Sequence, residues 1–294
     1  MGGVWRSADT VSYASYSSVN STKSVDQVFV SRNMDPSLDP KKIELRECVD
    51  SEECPNSTAM LIGVDVTGSM GYLAKEIAVN GLGKLIKGIY DDKPVSDPNI
   101  AFCAIGDHAA RDEAPLQISQ FEGDMRIVTE LQKIYVEGGG GGNRTEGYEL
   151  PWIFAAERTK IDCFDKRGEK GFIFTIGDEP APHGVSTDQY SAVFGGKQSA
   201  RYTPRQALEA AQQQWEVFHI ILMESDWVRH YRSEVEDSWR ELLGHRVLML
   251  DNHKNLPEVV LAAVRVARGE EPEAVIAAQN DEEIKTSIRT ALGI

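Results

Sequence analysis

The chain of 294 residues has no run of about eighteen apolar residues, the length a helix needs to cross a bilayer. Its opening stretch, MGGVWRSADTVSYASYSS, lacks the apolar core of a secretory signal. Arg6 stands where N-myristoylation wants Ser or Thr. Cysteine is scarce: Cys48, Cys54, Cys103 and Cys163 are too few for a disulfide framework in a chain this long. Cys103, within AFCAI, reads as a small buried hydrophobe. Cys48 and Cys54 could pair, but with no histidine near them they make no zinc site. These absences point to the cytoplasm. Basic residues are in deficit, 31 Lys and Arg against 46 Asp and Glu, a formal charge of −15. That balance argues against a general nucleic-acid binder, which must neutralise phosphates. It also argues against docking on an anionic membrane and favours cations or basic partners.

What is present is an ordinary globular balance, 41% hydrophobic and 26% charged. Residues 1–57 read as an N-terminal arm, rich in Ser, Val, Asn and Asp and without a helical period, partly disordered or packed on a sheet edge. Within it, DQVFVS (26–31) reads as an edge strand, and residues 46–59 as a loop entering the core. From AMLIGVDV (59–66) onward the chain alternates. Apolar strands at NIAFCAI (99–105), GFIFTI (171–176), VFHIILM (217–223) and RVLML (246–250) are separated by helical stretches at 70–90, 125–136, the segment through Arg158 (distorted at Pro151), 204–215, 227–243 and 255–268. PLQISQF (115–121) alternates like a half-exposed edge strand, and 179–203 reads as one long loop. Continuous apolar strands between helices imply a three-layer α/β fold: a doubly wound, mostly parallel sheet, Rossmann-like, with helices on both faces and one antiparallel edge strand. This core spans 58–268. Residues 269–294 form an acidic tail whose last helix carries Ile284, Ile288 and Leu292 on one face, to pack on its own domain or to dock a partner.

In an open α/β sheet, ligands gather at the carboxyl ends of strands. Three segments deliver oxygen donors there. GVDVTGSMG supplies Asp65, Thr67 and Ser69 at the end of the first core strand. Without a ligand, Ser69 would cap the next helix and Asp65 would accept loop amides. FTIGDEP supplies Asp178, or simply a turn before Pro180. GGGGGNRTEGYEL supplies Asn143 and Thr145, although Asn143 with Glu146 also fits a helix N-cap. Carboxylates and hydroxyls suit a hard cation, Mg²⁺ or Mn²⁺, better than zinc.

The set DVTGSM, a glycine-rich loop with a polar oxygen donor, and TIGDEP resembles the von Willebrand factor A (vWA) domain over roughly residues 58–268. The resemblance implies that D-x-T-x-S is a metal-ion-dependent adhesion site (MIDAS). Asp65, Thr67 and Ser69 would then be the first ligand loop, Asn143 or Thr145 the middle ligand and Asp178 the distal aspartate. The bound ion would be Mg²⁺, or Mn²⁺ or Ca²⁺. The middle position, usually threonine, is ambiguous here: Asn143 has the spacing to Gly147 and Thr145 the chemical type. The usual aspartate–glycine order is changed to Gly177–Asp178. The resemblance further implies an open coordination position that accepts a carboxylate from a partner protein presenting Asp or Glu. Asp107, His108, Arg111, Glu179 and His183 would form the rim around it.

Two other readings compete. A metal-dependent hydrolase, of phosphatase or nuclease type, could activate water with the ion and Asp107, His108 and Asp178. Against it, there is no second tight acidic cluster, no G-x-S-x-G and no H-E-x-x-H, and GGGGGNRT lacks the G-K-[ST] of a phosphate loop. The paired aspartates of a haloacid-dehalogenase phosphatase are missing too, since Thr67 takes the second position. The third reading is an assembly scaffold in which the metal site is incidental.

Overall fold

The computed structural model describes residues 7–20, 22–29, 31–110, 112–136, 144–196 and 201–294. The chain enters through helices α1 (Ser7–Asn20) and α2 (Val25–Val28) and a short strand β1 (Arg46–Cys48). The core follows: β2 (Thr58–Asp65), α3 (Gly71–Glu76), α4 (Leu82–Asp92), β3 (Pro98–Ile105), β4 (Leu116–Ile118), α5 (Arg126–Gln132) and α6 (Glu149–Glu157). Next come β5 (Thr159–Ile161), α7 (Asp162–Arg167), β6 (Gly171–Gly177), α8 (Thr187–Phe194), α9 (Pro204–Ala211), β7 (Trp215–Leu222) and α10 (Asp226–Leu243). The chain closes with β8 (Val247–Leu250), α11 (Leu256–Ala267), α12 (Pro272–Ala277) and α13 (Glu282–Leu292).

Six strands form the central sheet in the order β4-β3-β2-β6-β7-β8, and β4 is antiparallel to its neighbour β3 while the other pairs are parallel. Alternate side chains of each strand serve opposite faces. Met60, Ile62 and Val64 of β2 pack with Phe172 and Phe174 of β6 against α3, α4 and α11. Leu61, Ile173, Val217 and Ile221 pack on the other face against Trp152 of α6 and Trp239 of α10. Both faces being covered, every residue of β2, β3 and β6 is buried, which is why these strands read as unbroken apolar runs. The three-layer, doubly wound class expected from the sequence is the observed one.

The arm differs from its sequence reading. The described residues of 26–31 form no strand: Val25–Val28 is a helical turn, and Val28 and Phe29 lie in the core. Residues 7–20 are helical despite weak local propensity, lying on α4, with the Ser17 hydroxyl donating to Asn80 Oδ1 (2.7 Å). The sheet edge is met further on, where the Ile118 N–H donates to the Leu38 carbonyl (3.0 Å) and Arg46 Nη2–H to the Ile118 carbonyl (3.0 Å). Strand β1, within the stretch read as a loop, pairs with β5 in a separate two-stranded parallel sheet.

Other local differences have clear causes. The helix expected over 70–90 is interrupted by a π-helical segment, Ile77–Gly81. Pro151 causes no distortion, because it sits in the first turn of α6, where its missing N–H is not needed. That helix starts at Glu149, so the Asn143–Glu146 pattern is not its N-cap. The long loop contains α8, started by a capping box of Ser186 and Gln189. At the far end, α13 buries Ile288 and Ala291, while Ile284 and Leu292 pack against the same core. It covers β8 and α11 of its own chain.

Candidate metal centre

Strands β2 and β6 are neighbours in the middle of the sheet, and the chain leaves them in opposite directions, to β3 and β4 on one side and to β7 and β8 on the other. A crevice opens outside the carboxyl ends at such a reversal. Asp65 ends β2 and Asp178 follows the last residue of β6, so two carboxylates flank that crevice, both fully buried.

Their orientations are fixed by hydrogen bonds. Asp65 Oδ1 accepts from the Thr67 N–H (2.8 Å) and the Thr67 hydroxyl (2.6 Å). Asp65 Oδ2 accepts from the Tyr148 hydroxyl (2.6 Å), whose oxygen in turn accepts from the Glu179 N–H (3.3 Å). Asp178 Oδ2 accepts from the Ser225 hydroxyl (2.6 Å), and Ser225 also caps α10 through the Trp227 N–H (3.1 Å). Beneath lies an aromatic floor. Tyr148 meets His219 at 4.9 Å and Trp239 at 5.4 Å, both edge-on, and His219 and Trp239 stack at 3.5 Å. The Trp239 indole N–H holds the Glu179 carbonyl (2.9 Å). Gly177 is explained by this floor: the Tyr148 ring occupies the space where a Cβ would lie. That contact accounts for glycine directly before Asp178.

Crowded, buried carboxylates dominate the electrostatics of this edge. Burial, then the charge of Asp178, pushes Asp65 up to about 7. Burial, then Asp178 and Asp65, pushes Glu179 up to about 8. Burial, then Asp65 and Asp107, raises Glu146 still further. Burial of Glu149 pushes it up to about 8. Like charges crowded in a dry site oppose ionisation unless a positive ion joins them. Arg144 supplies positive charge to Glu179 from the edge. Its backbone is left-handed (φ 59°), and its guanidinium lies over Tyr231 (4.7 Å) and Trp227 (5.6 Å) of α10. Those contacts pin the end of the glycine-rich loop.

The other expected ligands are placed as follows. Thr67 is buried, and Ser69 lies in the single 3-10 turn Gly68–Met70 before α3. Thr145 is buried and its hydroxyl has no hydrogen-bond partner. Asn143 lies outside the described residues, as does Arg111. Of the expected rim, Asp107 and His108 are buried rather than solvated. Asp107 Oδ1 accepts from the Ala109 N–H (2.7 Å) while Oδ2 is unpartnered. His108 faces the Gly184 carbonyl (3.5 Å) and Glu149 (4.0 Å), and burial lowers its pKa. Glu179 is buried and His183 is exposed.

Sequence reasoning missed Tyr148, Ser225 and Glu149, and took Glu146 only as a capping residue. Glu146, Tyr148 and Glu149 lie within GGGGGNRTEGYEL, whereas Ser225 follows β7, outside every motif, and only the fold brings it to Asp178. Among the described residues no three His, Cys, Asp or Glu side chains converge to hold a metal by themselves. The donors here are instead carboxylates mixed with hydroxyls. A buried Thr145 hydroxyl without a hydrogen-bond partner, and carboxylates whose crowding opposes ionisation, are donors of the kind that a hard divalent cation takes.

A pH dependence follows. Raised carboxyl pKa values mean that the folded protein holds protons which the unfolded chain releases near pH 4. This stabilisation is complete below about pH 4 and is lost as pH rises through about 7 to 8. A divalent ion favours the deprotonated groups. The melting temperature measured in Mg²⁺ minus that in chelator should therefore widen between about pH 6 and about pH 9. A constant difference would show that these carboxylates do not face the ion.

No family model matches the chain, and no curated protein matches it in sequence. Solved structures similar to it include the open conformation of the pilus adhesin SpaC from Lactobacillus rhamnosus GG. That match has a TM-score of 0.45 and 11% identity, covering 77% of this chain and 31% of the adhesin. A von Willebrand factor type A protein from Catenulispora acidiphila has a TM-score of 0.40 and 14% identity, covering 74% of this chain and 44% of that one. A conserved hypothetical protein, BatB from Bacteroides thetaiotaomicron, has a TM-score of 0.40 and 13% identity, covering 72% and 98%. The chain thus spans under a third of the adhesin's length. These are likenesses of fold, too distant to carry a residue role or an activity across.

Proposed function

We propose that this vWA-like domain is a recognition module that binds a partner protein through a divalent cation, Mg²⁺ or a similar ion, at the carboxyl edge of its sheet. The supporting observation is the burial of Asp65 and Asp178 at the carboxyl ends of two adjacent strands, where the charge of Asp178 opposes ionisation of Asp65. When bound, the ion supplies positive charge that these groups and an acidic partner side chain share. Asp65 holds Thr67 in place, Tyr148 ties Asp65 to the Glu179 backbone, and Ser225 orients Asp178. A partner presenting Asp or Glu would add a charge-assisted contact to the ion in a partly desolvated site.

Recognition fits better than turnover. A hydrolytic site needs a base free to take a proton from water, and His108 is buried against Gly184 and Glu149. All four cysteines are free and buried, which suits a reducing compartment such as the cytoplasm. No helix among the described residues is long and apolar enough to cross a membrane.

The test is retention of a partner from cell extract on immobilised protein, in Mg²⁺, in EDTA, and with Asp65→Ala. Recognition predicts a partner held in Mg²⁺ and lost in the other two. A partner retained in all three would favour the scaffold reading. Phosphatase or nuclease turnover that stops with Asp65→Ala would favour the enzyme.

A further inference from the structure

An acidic partner approaching a chain of formal charge −15 meets repulsion except where the surface presents positive charge. At the carboxyl edge of the sheet Arg144 presents it. Three relations tie Arg144 to the crevice. It directly precedes Thr145 in the chain. Its charge favours ionisation of Glu179, the neighbour of Asp178. Its guanidinium lies over Trp227 and Tyr231 of α10, the helix whose cap residue, Ser225, donates to Asp178.

The side chain is held in place, yet its donors are left for a ligand. The two rings fix where the charge sits, and the left-handed backbone (φ 59°) is one that an arginine adopts only where its surroundings impose it. Ring contacts engage the charge and leave the in-plane N–H donors, whose fork matches a carboxylate. Among the described residues its ion-pair partner is Glu234, with Nη1 3.7 Å from Oε2, beyond hydrogen-bond reach. Both side chains are 49% exposed, so this pair is weak and readily exchanged.

We propose that Arg144 is the second anchor of the recognition site: the cation takes one carboxylate of the partner and Arg144 takes another, so the segment recognised is acidic at more than one position. This rests on the metal-dependent reading above and narrows it. A lone Asp or Glu meets the ion only, whereas a short acidic run gains the guanidinium fork as well. Glu234 pairs with Arg144 in the partner-free protein and yields it to the incoming carboxylate. A guanidinium already fixed over two rings loses little freedom when it binds, which favours that exchange.

The test uses the whole protein loaded with Mg²⁺ and two labelled hexapeptides, one all glutamate and one with a single glutamate among glutamines. Peptide binding is read by fluorescence anisotropy, and Mn²⁺ binding by electron paramagnetic resonance is measured for each protein alongside. Arg144→Gln should weaken the all-glutamate peptide at least about fivefold, change the single-glutamate peptide by less than about twofold, and keep the ion. Glu234→Gln, which frees Arg144, should bind the all-glutamate peptide about twofold more tightly. That variant leaves the glycine-rich loop untouched, so the proposal stays open to refutation even if Arg144→Gln fails to fold. Unchanged binding of the all-glutamate peptide by Arg144→Gln, or by Glu234→Gln, overturns the anchor. So does an equal loss of both peptides, or a loss of Mn²⁺ along with them, since Arg144 would then act only through its general field or through the loop. Each of these results leaves the cation site standing, whereas a wild type that binds no Mn²⁺ overturns both readings.

Discussion

Asp65→Asn is expected to raise the melting temperature of the metal-free protein and to abolish any further rise on adding Mg²⁺. Asp65 and Asp178 are both fully buried, and burial, then the charge of Asp178, disfavours ionisation of Asp65. Asparagine keeps an oxygen to accept both Thr67 hydrogen bonds and turns its amide towards the Tyr148 oxygen. The repulsion disappears while most of the hydrogen bonds survive. Trading function against stability in this way is characteristic of charged sites, where the groups a ligand needs are those the empty fold would rather lose. Thermal unfolding of both proteins in chelator and in Mg²⁺ measures the effect. A variant less stable than wild type in chelator, or one still stabilised by Mg²⁺, would contradict it.

Gly177→Ala should be among the most damaging single-methyl additions to the chain. A Cβ at that position lies 2.6 Å from two ring carbons of Tyr148, well inside contact distance. Tyr148 has nowhere to go, because it is fully buried and flanked by His219 and Trp239. Overpacking a dense core costs about 1–3 kcal/mol and sometimes more, and this site belongs at the upper end because the displaced ring also carries the bond to Asp65. Denaturant unfolding should show a loss of about 3 kcal/mol or more, together with loss of Mg²⁺ stabilisation. Combining it with Tyr148→Ala should cost less than the sum of the two single changes, since one removes what the other collides with. Equal stability of Gly177→Ala and wild type would mean that the ring does not occupy that space.

The sheet was legible because burial on both faces writes each central strand as an unbroken apolar run, as in AMLIGVDV and GFIFTI. The edge strand showed itself by alternation, but the half-exposed reading was wrong: the strand is Leu116–Ile118 and all of it is buried, because the arm covers this edge through Leu38. Asp65, Thr67 and Asp178 could be found because strand ends are marked in the sequence by the change from apolar to polar. Tyr148 and Ser225 could not, because each reaches its aspartate from a separate part of the chain, and nothing local distinguishes a phenol that holds Asp65 from one that fills a core. Glu146 carried a capping signal that tertiary structure overrode, since the helix begins at Glu149. The arm was misread for a related reason. Its helix α1 is held by packing on α4, a contact invisible in a Ser-rich segment with poor helix propensity.

Calorimetric titration of Mg²⁺ into chelator-treated protein, wild type beside Ser69→Ala and Asp65→Ala, tests most directly whether this edge holds a cation. One saturable site in the wild type, weakened by Ser69→Ala and abolished by Asp65→Ala, is the expected result. An absence of binding in the wild type, or the same isotherm in all three proteins, would contradict it.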